Sequence, residues 1–263
     1  MTTLLLDADI IAFKVASVSQ RTFQFPGCEP SVVADEWEQV VPRIDSEVAK
    51  LTEKLKSDKV IVCLSCPTED NWRLKILPTY KGNRDYSKRP VWLAKVKDYL
   101  EAEYPSYRRP HLEADDIMGI LSTMPGLPPG FLKDNPGFDP KARKVIVSED
   151  KDLKNIPGWL FNPAKDSKPH QVSLDDADRW HLYQALMGDT TDGYKGCPGC
   201  GPKGAERVLD KAPGVYAWPR VVARFAKAGL TEADALVQAR VSRICRFTDY
   251  DFKNKEVIPW TPK

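Results

Sequence analysis

The sequence predicts an α/β fold with a mostly parallel central sheet flanked by helices. Three observations point there. Short β-rich runs alternate with stretches of helical periodicity. A chain of 263 residues that is 42% apolar can bury a sizeable core. Acidic clusters stand just after the β-rich runs, the edge at which open α/β sheets hold their ligands.

Residues 4–6 read as the first buried strand, 60–64 as the second, 145–147 as the third and 159–161 as a fourth. Between the first two, 42–56 reads as a helix with Pro42 at its start and Ile44, Val48, Leu51 and Leu55 on one face. Residues 21–34, around Phe25-Pro26-Gly27, read as a hairpin. Residues 90–103 form a helix striped by Leu93, Val96 and Leu100. Five prolines and three glycines make 125–140 a loop. Beyond about 185 the strands are expected to stop. Gly-rich turns and short helices follow, the last opening at Thr231 with Asp234 completing a capping box. The expected division is an α/β core over 1–184 and a second region over 185–263, with no internal repeat.

Composition excludes several classes. With 29% charged residues and a mean hydropathy of −0.43, the chain has no apolar run near the roughly 18 residues of a membrane span. Asp7 and Asp9 interrupt the apolar start, with no basic residue ahead of them, which argues against an export signal. Six cysteines in 263 residues are no disulfide scaffold and should sit reduced in a cytoplasm. No membrane partner is expected.

The net charge of +2 hides two basic stretches. Residues 73–97 carry eight cations against the single acid Asp85, and 195–227 carry seven against Glu206 and Asp210. The acids gather at 113–116, 149–152 and 189–192. Basic stretches around clustered acids suit a polyanion gripped beside a metal site.

Asp7, Glu113, Asp115, Asp116, Asp150, Asp152, Asp189 and Asp192 are eight carboxylates beside strand ends or turns. Such charges repel unless cations stand among them. All-oxygen donors suit two Mg²⁺ or Mn²⁺ ions, a pair able to activate water and stabilise the leaving oxygen of a phosphodiester. Asp7-Ala8-Asp9 after an apolar strand also resembles the nucleophile motif of haloacid-dehalogenase-type phosphatases, a rival that leaves 113–116 unexplained.

Gly196, Gly199, Gly201 and Lys203 match the glycine-plus-lysine turn of helix–hairpin–helix DNA binders, in which bare backbone approaches a phosphate. Cys63, Cys66, Cys197 and Cys200 have zinc-like spacing. Yet Cys63 lies within an expected strand, and Cys197 and Cys200 fall where that motif carries apolar side chains, so all are read as packing residues. Tyr80 beside Lys81 and Arg84 suits a frayed nucleic-acid end, the ring stacking on a base while the cations meet the scissile phosphate.

Together the Tyr80-Lys81-Gly82-Asn83-Arg84 run, Glu113-Ala114-Asp115-Asp116, the Asp150/Asp152 pair and the Gly-Asp run from 188 to 203 resemble, in order, the structure-specific 5′-nuclease (flap endonuclease) family. Asn71-Trp72-Arg73 and the ending 243–252 are similar to the short 5′→3′ exonucleases of T-seven-like podophages. The resemblance implies a resolvase/PIN-like core, a helical arch over about 72–112, and a C-terminal helix–hairpin–helix that often binds K⁺. It makes the eight acids the metal ligands, with Asp7 and Asp150 central to catalysis, and Lys81 and Arg84 the phosphate-activating cations. Arg73, Tyr80, Gly196, Gly199, Gly201 and Lys203 become DNA contacts. Cys66 departs from the pattern, standing where the family has a further Asp; Glu69 and Asp70 are the nearby substitutes. The expected activity is Mg²⁺-dependent 5′→3′ hydrolysis of duplex DNA and of RNA in RNA–DNA hybrids. The alternatives are a 5′-flap endonuclease, the phosphatase, and a DNA-binding module whose site has decayed.

Overall fold

The computed structural model describes residues 2–27, 29, 31–57, 59–126, 139–210 and 214–262, with the side chains of 214–216 left out. Most of the proline-rich 125–140 loop lies outside the described residues. A six-stranded sheet organises the molecule. Its strands are β1 (Thr2–Asp7), β4 (Lys59–Leu64), β5 (Ser106–Arg108), β6 (Arg143–Val147), β7 (Gly158–Phe161) and β8 (His170–Val172), in the order β5-β4-β1-β6-β7-β8. All neighbours are parallel except β8, which runs antiparallel to β7.

Strand periodicity of two assigns the core faces. Leu4, Leu6, Val62, Leu64, Val145 and Val147 face one layer, with α1 (Ala8–Val18), α2 (Trp37–Leu55) and α3 (Leu93–Glu103). Leu5, Ile61, Cys63 and Ile146 face the other, against α4 (Ala114–Thr123). Burial on both faces explains why these strands read as continuous apolar runs. The hairpin of β2 (Gln20–Phe23) and β3 (Ser31–Ala34) forms where expected.

Three expectations need correction. Helix α2 starts at Trp37, so Pro42 lies inside it. An interior proline loses one backbone bond; here the added turn brings Trp37 against Trp92 and Tyr99, at ring separations of 5.4 and 6.1 Å. Residues 72–112 do not form a helical arch. Val96 and Leu100 of α3 are fully buried in the sheet core, and 76–92 run as turns with one short 3₁₀ helix, Tyr86–Lys88. Strands also continue beyond 185, as the two-residue pair β9 (Tyr250–Asp251) and β10 (Glu256–Val257).

Helices α5 (Leu174–Met187), α6 (Pro202–Leu209), α7 (Gly214–Lys227) and α8 (Glu232–Ser242) share a third core. The expected division at 184/185 cuts α5, whose Ala177 belongs to the sheet core and whose Leu182, Ala185 and Leu186 belong to the helical one. The chain then returns to the sheet, where Ile244 and Cys245 pack beside α4.

Cys197 and Cys200 are 3% and 5% exposed in the helical core, Cys63 is fully buried, and among the described residues the cysteines are free thiols. Burial pushes the Cys66 thiol up to about 12, with Glu113 adding to it. Replacing both Cys197 and Cys200 by Ala is expected to lower stability by about 1–3 kcal/mol through lost packing while leaving metal content unchanged. Thermal melts with elemental analysis check this; stoichiometric zinc lost in the double variant would expose a zinc site.

Candidate active site

Parallel pairing brings the carboxyl ends of β1, β4 and β6 level, with Asp7 opposite Cys63 and Leu6 opposite Val147. At that edge Asp7 caps α1, accepting from Ile10 N at 3.2 Å, and takes the Ser148 hydroxyl at 2.7 Å. Asp150 accepts from Asp152 N at 2.8 Å, capping the 3₁₀ turn Lys151–Asn155. Glu113 is the N-cap of α4, which points its first turn at the same edge. Asp189 accepts from Thr191 N and Asp192 N, closing the turn that presents Asp192.

Electrostatics shows how near these groups stand. Burial raises the Asp7 carboxyl to about 7, Asp9 adding to it and Asp150 contributing. Burial also lifts Asp115 well above the usual carboxylate range, aided by Asp7 and Asp150. Asp150 is raised by burial and by Asp192. Asp152 reaches about 7 through burial, then Asp150, Asp189 and Asp192. Segments more than 100 residues apart in the chain thus meet as one repelling cluster.

Glu113 is the opposite case. Burial would raise it, but Lys81 and then Arg73 outweigh that and hold it at about 2. Lys81 pairs closely with Glu113 Oε1 and lies 3.7 Å from Asp192 Oδ1, while Arg84 donates to Asp192 Oδ1 at 2.8 Å. Lys81 holds a left-handed φ of +55°, fixed by its N–H donating to Asp192 O at 2.9 Å. Such backbone is uncommon outside glycine and gathers at functional sites.

Among the described residues no three of these side chains, nor any His or Cys, already form a closed metal cage. The donor set nevertheless fits hard divalent cations. It is all oxygen, its members raise one another's affinity for protons, and Asp152 Oδ1 is buried without a hydrogen-bond partner.

Other predicted residues sit elsewhere. Tyr80 is 3% exposed, its hydroxyl 3.0 Å from Glu113 Oε2 and 3.1 Å from Asp192 Oδ2, so it has no face for a base. Arg73 is 2% exposed and bound to Asp116 and Glu113, so it cannot reach DNA. Asp116 is wholly buried behind Asp115. In each case the buried hydrogen-bond network consumes the group that the sequence offered to a ligand. Gly196 (φ +65°) serves packing, because a Cβ there would lie 2.3 Å from Gly188 N. Gly199 and Gly201 leave open backbone before α6, and Lys203 is exposed. Glu69 and Asp70 are exposed, and Asp70 stands near enough to raise the Cys66 thiol. Sequence reasoning missed Ser148 on Asp7, the 2.7 Å Lys97–Asp9 pair and the contact of Lys151 with Asp189 at 3.6 Å. Asp9 stands out only in the rival Asp7-Ala8-Asp9 motif; Ser148 carried no signal.

These shifts set a pH dependence. Asp7 and Asp152 have folded values near 7 against an ordinary 3.8. Between those limits the folded chain binds more protons than the unfolded one, so stability falls as pH rises. Metal-free protein should therefore melt at progressively lower temperature from about pH 4 to pH 8. Saturating Mg²⁺ should remove most of that slope, and a melting series with and without chelator measures it. A flat metal-free profile would contradict the clustered burial of these acids.

The fold and this edge define an α/β protein with an acidic site bordered by cations, and its relatives make it a nuclease. Over 227 residues the chain is 33% identical to the exodeoxyribonuclease of Enterobacteria phage T3, covering 73% of this chain and 70% of that protein. It is also 33% identical over 223 residues to the exonuclease of Escherichia phage T7, covering 73% and 71%. The chain belongs to this phage exonuclease branch of the 5′-nuclease family. The T5 D15 protein, crystallised with metal ions, shares the fold, with a TM-score of 0.65, 15% identity, and coverage of 93% of this chain and 90% of that one. No family model matches the chain. Family membership sets aside the phosphatase reading. Among the described residues no helix is long and apolar enough to cross a membrane.

Proposed function

We propose that the chain is a divalent-metal-dependent 5′→3′ exonuclease acting on duplex DNA, and on RNA in RNA–DNA hybrids. The observation that carries this reading is the convergence of Asp7, Asp115, Asp150 and Asp152 into one mutually repelling cluster, bordered by Lys81 and Arg84. Those four, with Glu113, Asp189 and Asp192, would hold two Mg²⁺ or Mn²⁺ ions, which when bound neutralise phosphate charge and make water a better nucleophile. The T5 D15 protein's metal ions support this assignment.

The chain's own groups do the rest. Lys81 and Arg84 sit on Asp192 at the cluster's rim, where a phosphodiester would meet both cations. Their charge offsets the negative charge that grows as water's oxygen bonds to phosphorus and the bond to the 3′ oxygen breaks. The products carry a 5′-phosphate and a 3′-hydroxyl. Tyr80, raised well above its usual range by burial and Glu113, stays a neutral phenol and holds Glu113 and Asp192 in register.

Duplex would lie along Gly199, Gly201 and Lys203. Beside them runs a groove of about 820 Å³ lined by Lys154, Trp180, Lys203 and Arg207 among others. Phosphate contacts of this kind position the strand without reading its sequence. A K⁺ at the glycine turn would share the Pro198 carbonyl, which accepts from Arg224 Nη2 at 2.9 Å.

The test pairs a 5′-labelled duplex with a matched 5′-flap substrate and an RNA–DNA hybrid, with Mg²⁺ and with chelator. Short 5′-phosphorylated products from the duplex, absent with chelator, are expected. Cleavage confined to the flap junction would make it an endonuclease, and chelator-resistant cleavage would end the metal reading.

A further inference from the structure

A fully satisfied buried guanidinium lies behind the site. The Arg73 guanidinium has five N–H donors, and all five are used. Nε donates to Val241 O at 2.9 Å. Nη1 donates to Glu113 Oε2 at 3.0 Å and Asp116 Oδ2 at 2.8 Å, and Nη2 to Asp116 Oδ1 at 2.9 Å and Arg243 O at 2.6 Å. Asp116 is equally full. Besides the guanidinium it accepts from Trp72 Nε1 at 2.9 Å, Cys245 N at 3.0 Å and Glu113 N at 3.3 Å. Five donors on a carboxylate with about four lone-pair sites leave no lone pair for a metal.

Three pieces of chain meet in this knot: the 72–75 turn, the first turn of α4, and the 241–246 segment. The approach is tight. A Cβ on Gly119 of α4 would lie 2.3 Å from Cys245 O, so only glycine lets that segment cross the helix. Successive helix residues point about 100° apart. Asp116 therefore faces inward while Asp115, one residue earlier, stands among Asp7 and Asp150. Arg73 grips one oxygen of Glu113, and Lys81 meets the other.

We propose that Arg73 and Asp116 act as a single positioning unit. It fixes Glu113 and Asp115 from the C-terminal segment 241–246, and Asp116 itself ligates no metal. The inference rests on the metal-dependent reading above. Outer partners of this kind set ligand orientation, and their loss typically weakens metal affinity about 10–100-fold. A purely structural knot would change stability alone.

The test uses the full chain and Mn²⁺ alone, titrated by calorimetry, with thermal melts in parallel. Asp116→Asn should bind as many Mn²⁺ ions as the parent, with half-saturation raised about tenfold. Asp115→Asn, the control, should bind one fewer. Arg73→Lys, which keeps the charge but loses the fork, should show the same weakening as Asp116→Asn. The double variant should be no worse than the poorer single one, because the two act as a unit. If Asp116→Asn does not fold, Arg73→Lys carries the same readout. Loss of an ion in Asp116→Asn overturns the inference, as does unchanged Mn²⁺ affinity with only a lower melting temperature. Should Asp115→Asn keep the full ion count, the metal assignment of the cluster fails instead.

Discussion

Replacing Asp150 by Asn is expected to abolish cleavage while leaving DNA binding largely intact. Asp150 follows β6 and shares its cluster with Asp7, Asp115, Asp152 and Asp192. The amide keeps an oxygen to accept the Asp152 N–H, so the 3₁₀ turn after β6 should survive. What it gives up is the charge that would hold a divalent cation. The loss in rate should be at least the roughly 10²–10³-fold seen for one transition-state donor. One repelling charge fewer should also raise the melting temperature of metal-free protein, a sign opposite to that of ordinary damage. Single-turnover cleavage and a chelated melt read both effects. Near-parental cleavage would show that the cluster is not the active site.

Lys81→Ala is expected to cut the single-turnover rate by roughly 10²–10³-fold at saturating DNA, with a smaller change in binding. Lys81 meets Glu113 and Asp192 at the cluster's rim, where a charge matters most as the phosphate gains negative charge. Lys203→Ala should behave differently. Exposed on α6 in the separate helical core, Lys203 would lose one phosphate contact, so the salt slope falls by about one unit and cleavage recovers at high enzyme. Kinetics on one duplex at several salt concentrations separates the two. If they exchanged behaviour, the 73–97 stretch would be a binding surface only.

Much of this arrangement could be read before any coordinates. The apolar runs marked β1, β4, β6 and β7, and the acids following them marked the functional edge, because a buried parallel strand leaves both signals in consecutive residues. The shortest pieces were not readable. Strands β5 and β8 are three residues each, and β9 and β10 two, too short for any period to show.

The sequence by itself determined the four inner strands of the sheet, the family, and the conjunction of clustered acids with flanking cations. Those depend on residue type and local spacing. Only the tertiary structure decided which charged and aromatic groups face out. Arg73, Tyr80 and Asp116 carry the chemistry of DNA and metal contacts, yet Arg73 and Asp116 close on each other and on 241–246, more than 120 residues further along the chain, and Tyr80 closes on Glu113 and Asp192. Hydrogen bonds so distant in sequence leave no local pattern. A buried charge is tolerated only with its partners in place, so the fold, and not the motif, left Asp116 wholly enclosed by Arg73, Trp72 and Cys245 and set Glu113 between Arg73 and Lys81.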